Sequence, residues 1–139
     1  MVSDKAVRQA IYTALNVASV TTNLANGSAS LHHSVAPSSA AYPLVIFQQM
    51  SDTVIGAFGG DHIDNQVWLV KAIVKGGSSS TAEDIAKAVH DVLHFQDLSI
   101  AGADHMYLAR ETGVSYSEVV SGEVFRHHGH NYRLVHQDT

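Results

Sequence analysis

The sequence contains no cysteine, which excludes disulfides, thiol catalysis and cysteine-ligated metals. Charged side chains are also scarce, at 15% of the 139 residues, whereas apolar residues make up 45%. A chain of this length and composition suits one compact domain, which we expect to span residues 1–139. Because few charges are available to solvate its surface, we expect a partner to cover part of that surface.

Long apolar runs and basic clusters are absent too. The longest apolar runs, such as residues 44–47, are far too short to span a membrane, and the polar start shows no signal peptide. We therefore expect a soluble protein made in a cytoplasm, with no membrane partner. The formal net charge is −5, and the 8 basic residues are scattered along the chain. This distribution argues against nucleic-acid binding as the main activity.

Two segments have the three-and-four apolar spacing of amphipathic helices. The first has Ser3 as a suitable N-cap and an apolar stripe within residues 7–18. The second follows the Gly/Ser tract at 76–79, and the spacing of Ser80 and Glu83 is typical of a capping box. The pattern predicts one helix near the start of the chain and one after its midpoint.

Four stretches predict strands, at 44–50, 66–74, about 105–116 and about 123–136. Residues 66–74 are apolar on both faces, which is typical of a strand covered by a helix layer on one side and by a neighbouring subunit on the other. Gly129 predicts a bulge or kink in the last strand. The order of elements predicts an α+β fold: a two-layer sandwich with a mainly antiparallel sheet and two helices packed on it.

Two long segments, 23–41 and 51–65, are rich in small residues and show no periodicity. Loops of this length in a small domain are usually functional. We expect both to be mobile in the isolated subunit and to become ordered on assembly. Val54, Ile55 and Phe58 in the second loop, together with Trp68 on the two-faced strand, are the predicted interface residues.

A metal-dependent hydrolase is the alternative hypothesis. His90, Asp91 and His94 resemble the H-E-x-x-H helix of zinc proteases, in which two histidines four apart bind the metal. However, Asp is shorter than the usual Glu base, and no third ligand follows from the spacing. The same helix face carries Glu83 and Lys87, which is typical of a solvated face. We therefore expect no catalytic, cofactor-binding or metal-binding residue.

The remaining chemical motifs favour no enzyme class. His128 and His130 would share one face of a strand and could bind a metal together, but polar strand or interface residues are the commoner explanation. The sequence has no nucleophile elbow, no Walker A lysine and no dinucleotide-binding glycine motif. We therefore expect a protein that is not an enzyme.

Several segments follow one another in an order that resembles a known family. They are an aromatic–proline entry to the first strand, a central strand, a Gly/Ser break before the second helix, and the closing strands. Their positions are 41–45, 67–72, 76–79, 85–93, 98–102, 110–116, 122–127 and 132–133. In this order, from about Tyr42 to Val135, the chain resembles the tail terminator, or tail completion, proteins of long-tailed bacteriophages and related prophages.

The resemblance implies a structural virion protein without catalytic residues or cofactors. It implies a homo-oligomeric ring, a hexamer, that caps the tail tube, stops tube polymerisation and joins the tail to the head. The implied partners are further copies of the chain, the tail tube protein and the head-completion or connector protein, while DNA passes through the lumen without specific binding. The implied location is the neck of the virion, and the host cytoplasm during assembly.

Overall fold

The structure, a computed structural model, describes residues 3–56 and 62–138. The helices and strands succeed one another as follows: α1 (Asp4–Leu15), α2 (Ala18–Thr21), a 3₁₀ turn (Gly27–Ser30), β1 (Leu31–His33), β2 (Leu44–Gly56), β3 (His62–Lys75), α3 (Ser79–Leu93), β4 (Ala103–Val120) and β5 (Glu123–Asp138).

The strands form a five-stranded sheet in the order β1-β2-β3-β5-β4. The short β1 runs parallel to β2, and every other neighbouring pair is antiparallel. The three helices pack on the sheet, with α3 against β3, β4 and β5. The predicted α+β sandwich is confirmed, although a short third helix joins the two that were expected.

The main core lies between the helices and one face of the sheet. Phe47, Trp68 and Tyr132 are its largest buried side chains, and Leu15 of α1 and Leu93 of α3 belong to the same cluster. Trp68 is only 2% exposed. Its side chain therefore has almost no surface to offer another subunit, and the expectation that Trp68 forms part of an interface is not retained.

The opposite face of the sheet has a smaller core of its own. Leu44, Ile46 and Ile73 are buried there, and Tyr42 and Phe125 pack against them with their ring centroids 5.2 Å apart. The segment that leads into β2 thus covers this end of β3. At this end of β3 the second apolar face, which was expected to contact a neighbouring subunit, is covered by the same chain.

The predicted loop 51–65 is mostly a β-hairpin. The pairing of β2 with β3 continues to Gly56 and His62 after one register shift between Gln49 and Ser51. Cross-strand hydrogen bonding outweighs the weak intrinsic strand preference of this Asp- and Thr-containing sequence. Residues 57–61, which include the predicted interface residue Phe58, lie outside the described residues.

The predicted loop 23–41 is also partly ordered. Leu24 and Leu31 are buried in the main core, and β1 within the segment pairs with β2. The apolar residues are too widely spaced to show a period, so only their packing reveals this order. The two segments were expected to behave alike, but the first contributes to the core and the second forms most of a hairpin.

The helix N-termini depend on serine caps. The Ser3 hydroxyl accepts a hydrogen bond from the Ala6 amide at 3.2 Å, which confirms the predicted cap of α1. At α3 the cap is Ser78, whose hydroxyl accepts from the Ser80 amide at 3.0 Å, so the helix begins earlier than the Ser80 box predicted. No helix in the described ranges is long and apolar enough to cross a membrane.

Gly129 lies in regular pairing, opposite Lys71 on β3 and Val114 on β4, so the predicted bulge is wrong. A Cβ at this position would overlap the Val70 carbonyl oxygen and the Lys71 backbone. The glycine is needed because β3 approaches β5 too closely for a side chain. The register shifts of this sheet edge lie in β4 instead, before Tyr107 and before Gly113.

We predict that Gly129→Ala destabilises the fold by roughly 1–3 kcal/mol, because the new methyl group forces the backbone of β3 away. Gly113→Ala is the matched control, since a Cβ there would make an ordinary contact 3.6 Å from the His130 ring. Urea denaturation of both variants checks this. Equal stability of the two would show that the close approach at Gly129 is relieved without cost.

We predict that Trp68→Ala lowers the free energy of unfolding by roughly 3–5 kcal/mol, because it leaves a large cavity in the main core. The indole Nε1–H donates to Gln66 Oε1 at 2.8 Å, so the substitution also leaves a buried amide oxygen without its donor. Chemical denaturation followed by circular dichroism measures the loss. A change of less than about 1 kcal/mol would contradict the placement of Trp68 at the centre of the core.

Candidate functional site: the assembly surfaces

Exposed apolar side chains occur at several places in the described residues, among them two hairpins and the Phe95–Tyr107 ring pair, whose centroids are 6.3 Å apart. Val54 and Ile55 on β2 are each about half exposed, at 51% and 47%. Val119 and Val120 at the end of β4 are also exposed, with Val119 at 70%. Isolated apolar residues on a surface are ordinary, but adjacent ones on projecting hairpins are typical of contact surfaces.

The two hairpins lie at opposite ends of the sheet. At one end of the β3–β5 pair, Ile63 lies opposite Gln137, next to the turn between β2 and β3. At the other end Lys75 lies opposite Phe125, next to the turn between β4 and β5. The two hairpins therefore carry separate exposed apolar patches, which we call the β2–β3 patch (Met50, Val54 and Ile55) and the β4–β5 patch (Val119 and Val120).

The β2–β3 patch is exposed on both sides of its hairpin. Val54 pairs with Asp64 and Ile55 with Ile63, so the two neighbouring side chains point to opposite faces. Both side chains are about half exposed, so the helix layer covers neither of them. A partner that encloses the hairpin would bury both, whereas a partner on one face would bury only one.

The sheet face away from the helices carries a connected polar group near its middle. The Lys71 ammonium donates to the Tyr116 hydroxyl at 2.8 Å, and the Tyr116 ring stacks on His127 at 4.3 Å. His127 Nε2 lies 2.7 Å from a Glu118 carboxylate oxygen. Burial lowers the pKa of His127, and the hydrogen bond to Glu118 opposes that shift. Because the Glu118 carboxylate can only accept, the neutral His127 ring donates its Nε2–H in that bond.

The other charges on this face are paired within the subunit. Arg133 donates to the Glu111 carboxylate at 2.8 Å and to the Asn65 amide oxygen at 2.7 Å. Lys75 pairs with Glu123 at 2.8 Å. Because these cations already have anionic or amide partners, the face offers little free positive charge to a nucleic-acid backbone.

His90 and His94 do not lie on a fully solvated face. Both are half-buried between α3 and the β4–β5 strands, and their rings stack 4.6 Å apart. The Arg110 amide donates to His94 Nδ1 at 3.0 Å, and burial lowers the pKa of His94, which keeps that nitrogen available as an acceptor. The predicted solvated face is correct for Glu83 and Lys87 and wrong for the two histidines.

This geometry does not support the zinc-hydrolase alternative. Nδ1 of His94 already accepts a hydrogen bond from the Arg110 amide, and the rings of His90 and His94 are stacked on each other. A catalytic zinc site needs three protein ligands. Within residues 3–56 and 62–138, the one group of three such donors within 4.8 Å of one another is His62, Asp64 and Asp138, near the far end of β3 and β5.

Comparisons with known proteins are consistent with the α+β fold described above. Residues 9–135 match the family described as "Tail completion protein gp17". The chain belongs to this family. Its members are structural proteins of phage tails, and membership implies a structural rather than an enzymatic protein.

The fold is also similar to a chain from a solved structure titled "Virion of native gene transfer agent (GTA) particle". The TM-score is 0.69 at 20% sequence identity, and the similarity covers 94% of each chain. At this identity the likeness concerns the fold alone. No curated protein sequence matches the chain significantly.

Of the predicted interface residues, the structure leaves Val54 and Ile55 exposed and buries Trp68, while Phe58 is not among the described residues. The β4–β5 patch was not among the predicted interface residues. Its only signal is a pair of adjacent valines, Val119 and Val120, directly before a Ser-Gly turn. A half-buried strand alternates apolar and polar residues, so this pattern does not predict two successive apolar residues at that place.

We predict that stability falls as the pH is lowered from about 6.5 to about 4. Burial lowers the pKa of His130 to about 4, and the positive charges of Arg110, His128 and His90 act in the same direction. The unfolded chain takes up a proton near pH 6.5 while the folded protein does not, so acid favours unfolding over this window. Thermal denaturation at a series of pH values measures the slope.

The control for this prediction is His130→Gln, which keeps a polar side chain that does not titrate. Its melting temperature should fall less than that of the parent between pH 6.5 and 4. The carboxylates titrate alike in both proteins, so the difference isolates the histidine. Parallel profiles of the two proteins would contradict the assignment.

Proposed function

We propose that this tail completion protein forms a homo-oligomeric ring, a hexamer, which caps the tail tube, stops its polymerisation and joins the tail to the head connector. The observation that carries the proposal is the presence of two exposed apolar patches at opposite ends of one sheet. Family membership supports a structural role in the phage tail. In this proposal residues 1–139 act as one domain in the virion neck, after assembly in the host cytoplasm.

Ring closure requires two different contact surfaces on each subunit. In a cyclic ring with more than two members, each contact is head-to-tail, so one surface meets a different surface of the neighbour. The β2–β3 patch and the β4–β5 patch differ in shape and sequence and cannot be the same surface. The main core is complete within the subunit, so assembly adds contacts at the sheet ends without unfolding the domain.

The energetic contribution of these patches is modest for one contact and substantial for a ring. Complete burial of a valine or isoleucine side chain contributes ~1.5–3 kcal/mol relative to full exposure, so a half-exposed residue still has roughly half of that to gain. Repetition around a closed ring multiplies the gain, because every subunit makes the contact twice. Closure thus stabilises an assembly whose single contacts are weak.

The charge distribution supports passage of DNA without specific binding. The chain has a formal net charge of −5, and the cations of the open sheet face are paired with Glu111, Glu123 or tyrosine hydroxyl groups. A lumen formed by such a surface would repel phosphates slightly and grip none of them. We therefore propose the tail tube protein and the head connector, rather than DNA, as the partners that bind tightly.

The double variant Val54→Ser, Ile55→Ser tests the proposal. Both side chains are exposed, so the stability of the monomer should change by no more than about 0.5 kcal/mol per site. We predict that rings become rare in negative-stain images of the purified protein. In phage complementation, tails should overgrow or fail to join heads, because the β2–β3 patch is lost.

The matched control is Val35→Ser, which replaces another exposed valine far from both hairpins in sequence. It should leave ring formation and tail joining unchanged. Wild-type assembly by the double variant would remove the β2–β3 patch from the interface. A wild-type protein that forms neither rings in solution nor caps on isolated tubes would contradict the ring itself.

A further inference from the structure

Two histidines and two aspartates meet on neighbouring strands, at the start of β3 and the end of β5. Asp64 on β3 lies directly opposite His136 on β5. Residues two apart on a strand share a face, so His62 and Asp138 lie beside this pair on the same face. The four side chains form a two-by-two group, which we call the His/Asp cluster.

The donor atoms of the His/Asp cluster are close together. His62 Nε2 lies 3.3 Å from one Asp64 oxygen, and His136 Nδ1 lies 3.9 Å from the other. The donor atoms of His62, Asp64 and Asp138 all lie within 4.8 Å of one another. Ligands at 2.0–2.2 Å from a tetrahedral zinc ion are about 3.4 Å apart, so the donors of His62, Asp64 and Asp138 are near the spacing of a shared cation. His136 lies outside this group of three and contacts it through Asp64.

The burial of His136 points independently to a ligand. The side chain is 0% exposed, and neither of its ring nitrogens has a hydrogen-bond partner among the described residues. Asp64 beside it is only 3% exposed. A buried polar side chain without a hydrogen bond is costly and uncommon, and a bound ion is one of its ordinary explanations.

We propose that the His/Asp cluster binds one divalent transition-metal ion of the zinc class, with His62, Asp64 and Asp138 as ligands and His136 as the fourth. Mixed imidazole and carboxylate donors are the ligands that such ions prefer outside thiolate sites. Two carboxylates balance the charge of the ion, so its burial leaves no net charge. This site departs from the expectation, drawn from the sequence, that the chain binds no metal.

The competing explanation is an ion pair between a protonated His62 and Asp64. That pair accounts for the 3.3 Å contact but leaves His136 without a hydrogen bond. A bound cation uses all four side chains. It would tie β3 to the end of β5 near the last described pair of the β2–β3 hairpin, where Val54 lies opposite Asp64. The inference does not depend on the proposed ring, because it concerns the single subunit.

Metal titration of the untagged, chelator-treated protein tests the site. We expect one equivalent of Zn²⁺ to bind by calorimetry, and Co²⁺ to give the intense visible absorption of a four-coordinate ion. His62→Gln and Asp138→Asn should each weaken Zn²⁺ binding at least tenfold. Zn²⁺ should raise the melting temperature of the parent and have little effect on that of the variants.

The control is the double variant His90→Ala, His94→Ala, which removes two other neighbouring histidines and should bind Zn²⁺ as the parent does. His62 and Asp138 are partly exposed, so their variants should fold, and circular dichroism confirms this before titration. Unchanged binding by both cluster variants, or loss of binding in the control, overturns the assignment. Absence of saturable binding by the parent leaves the ion pair as the role of the cluster.

Discussion

Strand β3 is hydrogen-bonded along both edges, and the other elements are placed relative to it. The helices cover one of its faces, and the segment before β2 covers one end of the other. The pairing of β3 with β2 and β5 extends over nearly its whole length. Trp68 faces the helices, and Ile73 on the opposite face packs beneath the segment that leads into β2. A strand enclosed in this way needs apolar residues on successive positions, which explains its unusual composition.

Because the edges of β3 are hydrogen-bonded to β2 and β5 of the same subunit, the surfaces left for assembly lie at the ends of the sheet. The long hairpins carry their exposed apolar residues to those ends, while the middle of the open face is occupied by the group around Lys71, Tyr116 and His127. Stability and assembly are thus separated in space. In the proposed ring, this separation would allow a subunit to fold before it assembles and would let interface residues vary without loss of the core.

The polar groups follow the same division. Towards the start of β3 its helix-side residues change from Trp68 to Gln66 and Asp64, and the neighbouring strand changes from Leu134 to His136, although all of these side chains stay buried. The histidines beside α3 are instead held by ring stacking and by the Arg110 amide. Ten histidines in one chain therefore serve different local purposes and form no single site.

The sequence by itself determined the elements whose signals are local: the α1 stripe with its Ser3 cap, the second helix, the two-faced strand and the order of segments that resembles the tail completion family. Only the tertiary structure decided what depends on pairing between distant residues. Weakly apolar residues near Asp52 become a strand because β3 pairs with them, and Gly129 is needed because β3 lies against it. His62 and His136 are neighbours through a register that no local pattern encodes, since side-chain proximity across a sheet follows from strand order and not from spacing along the chain.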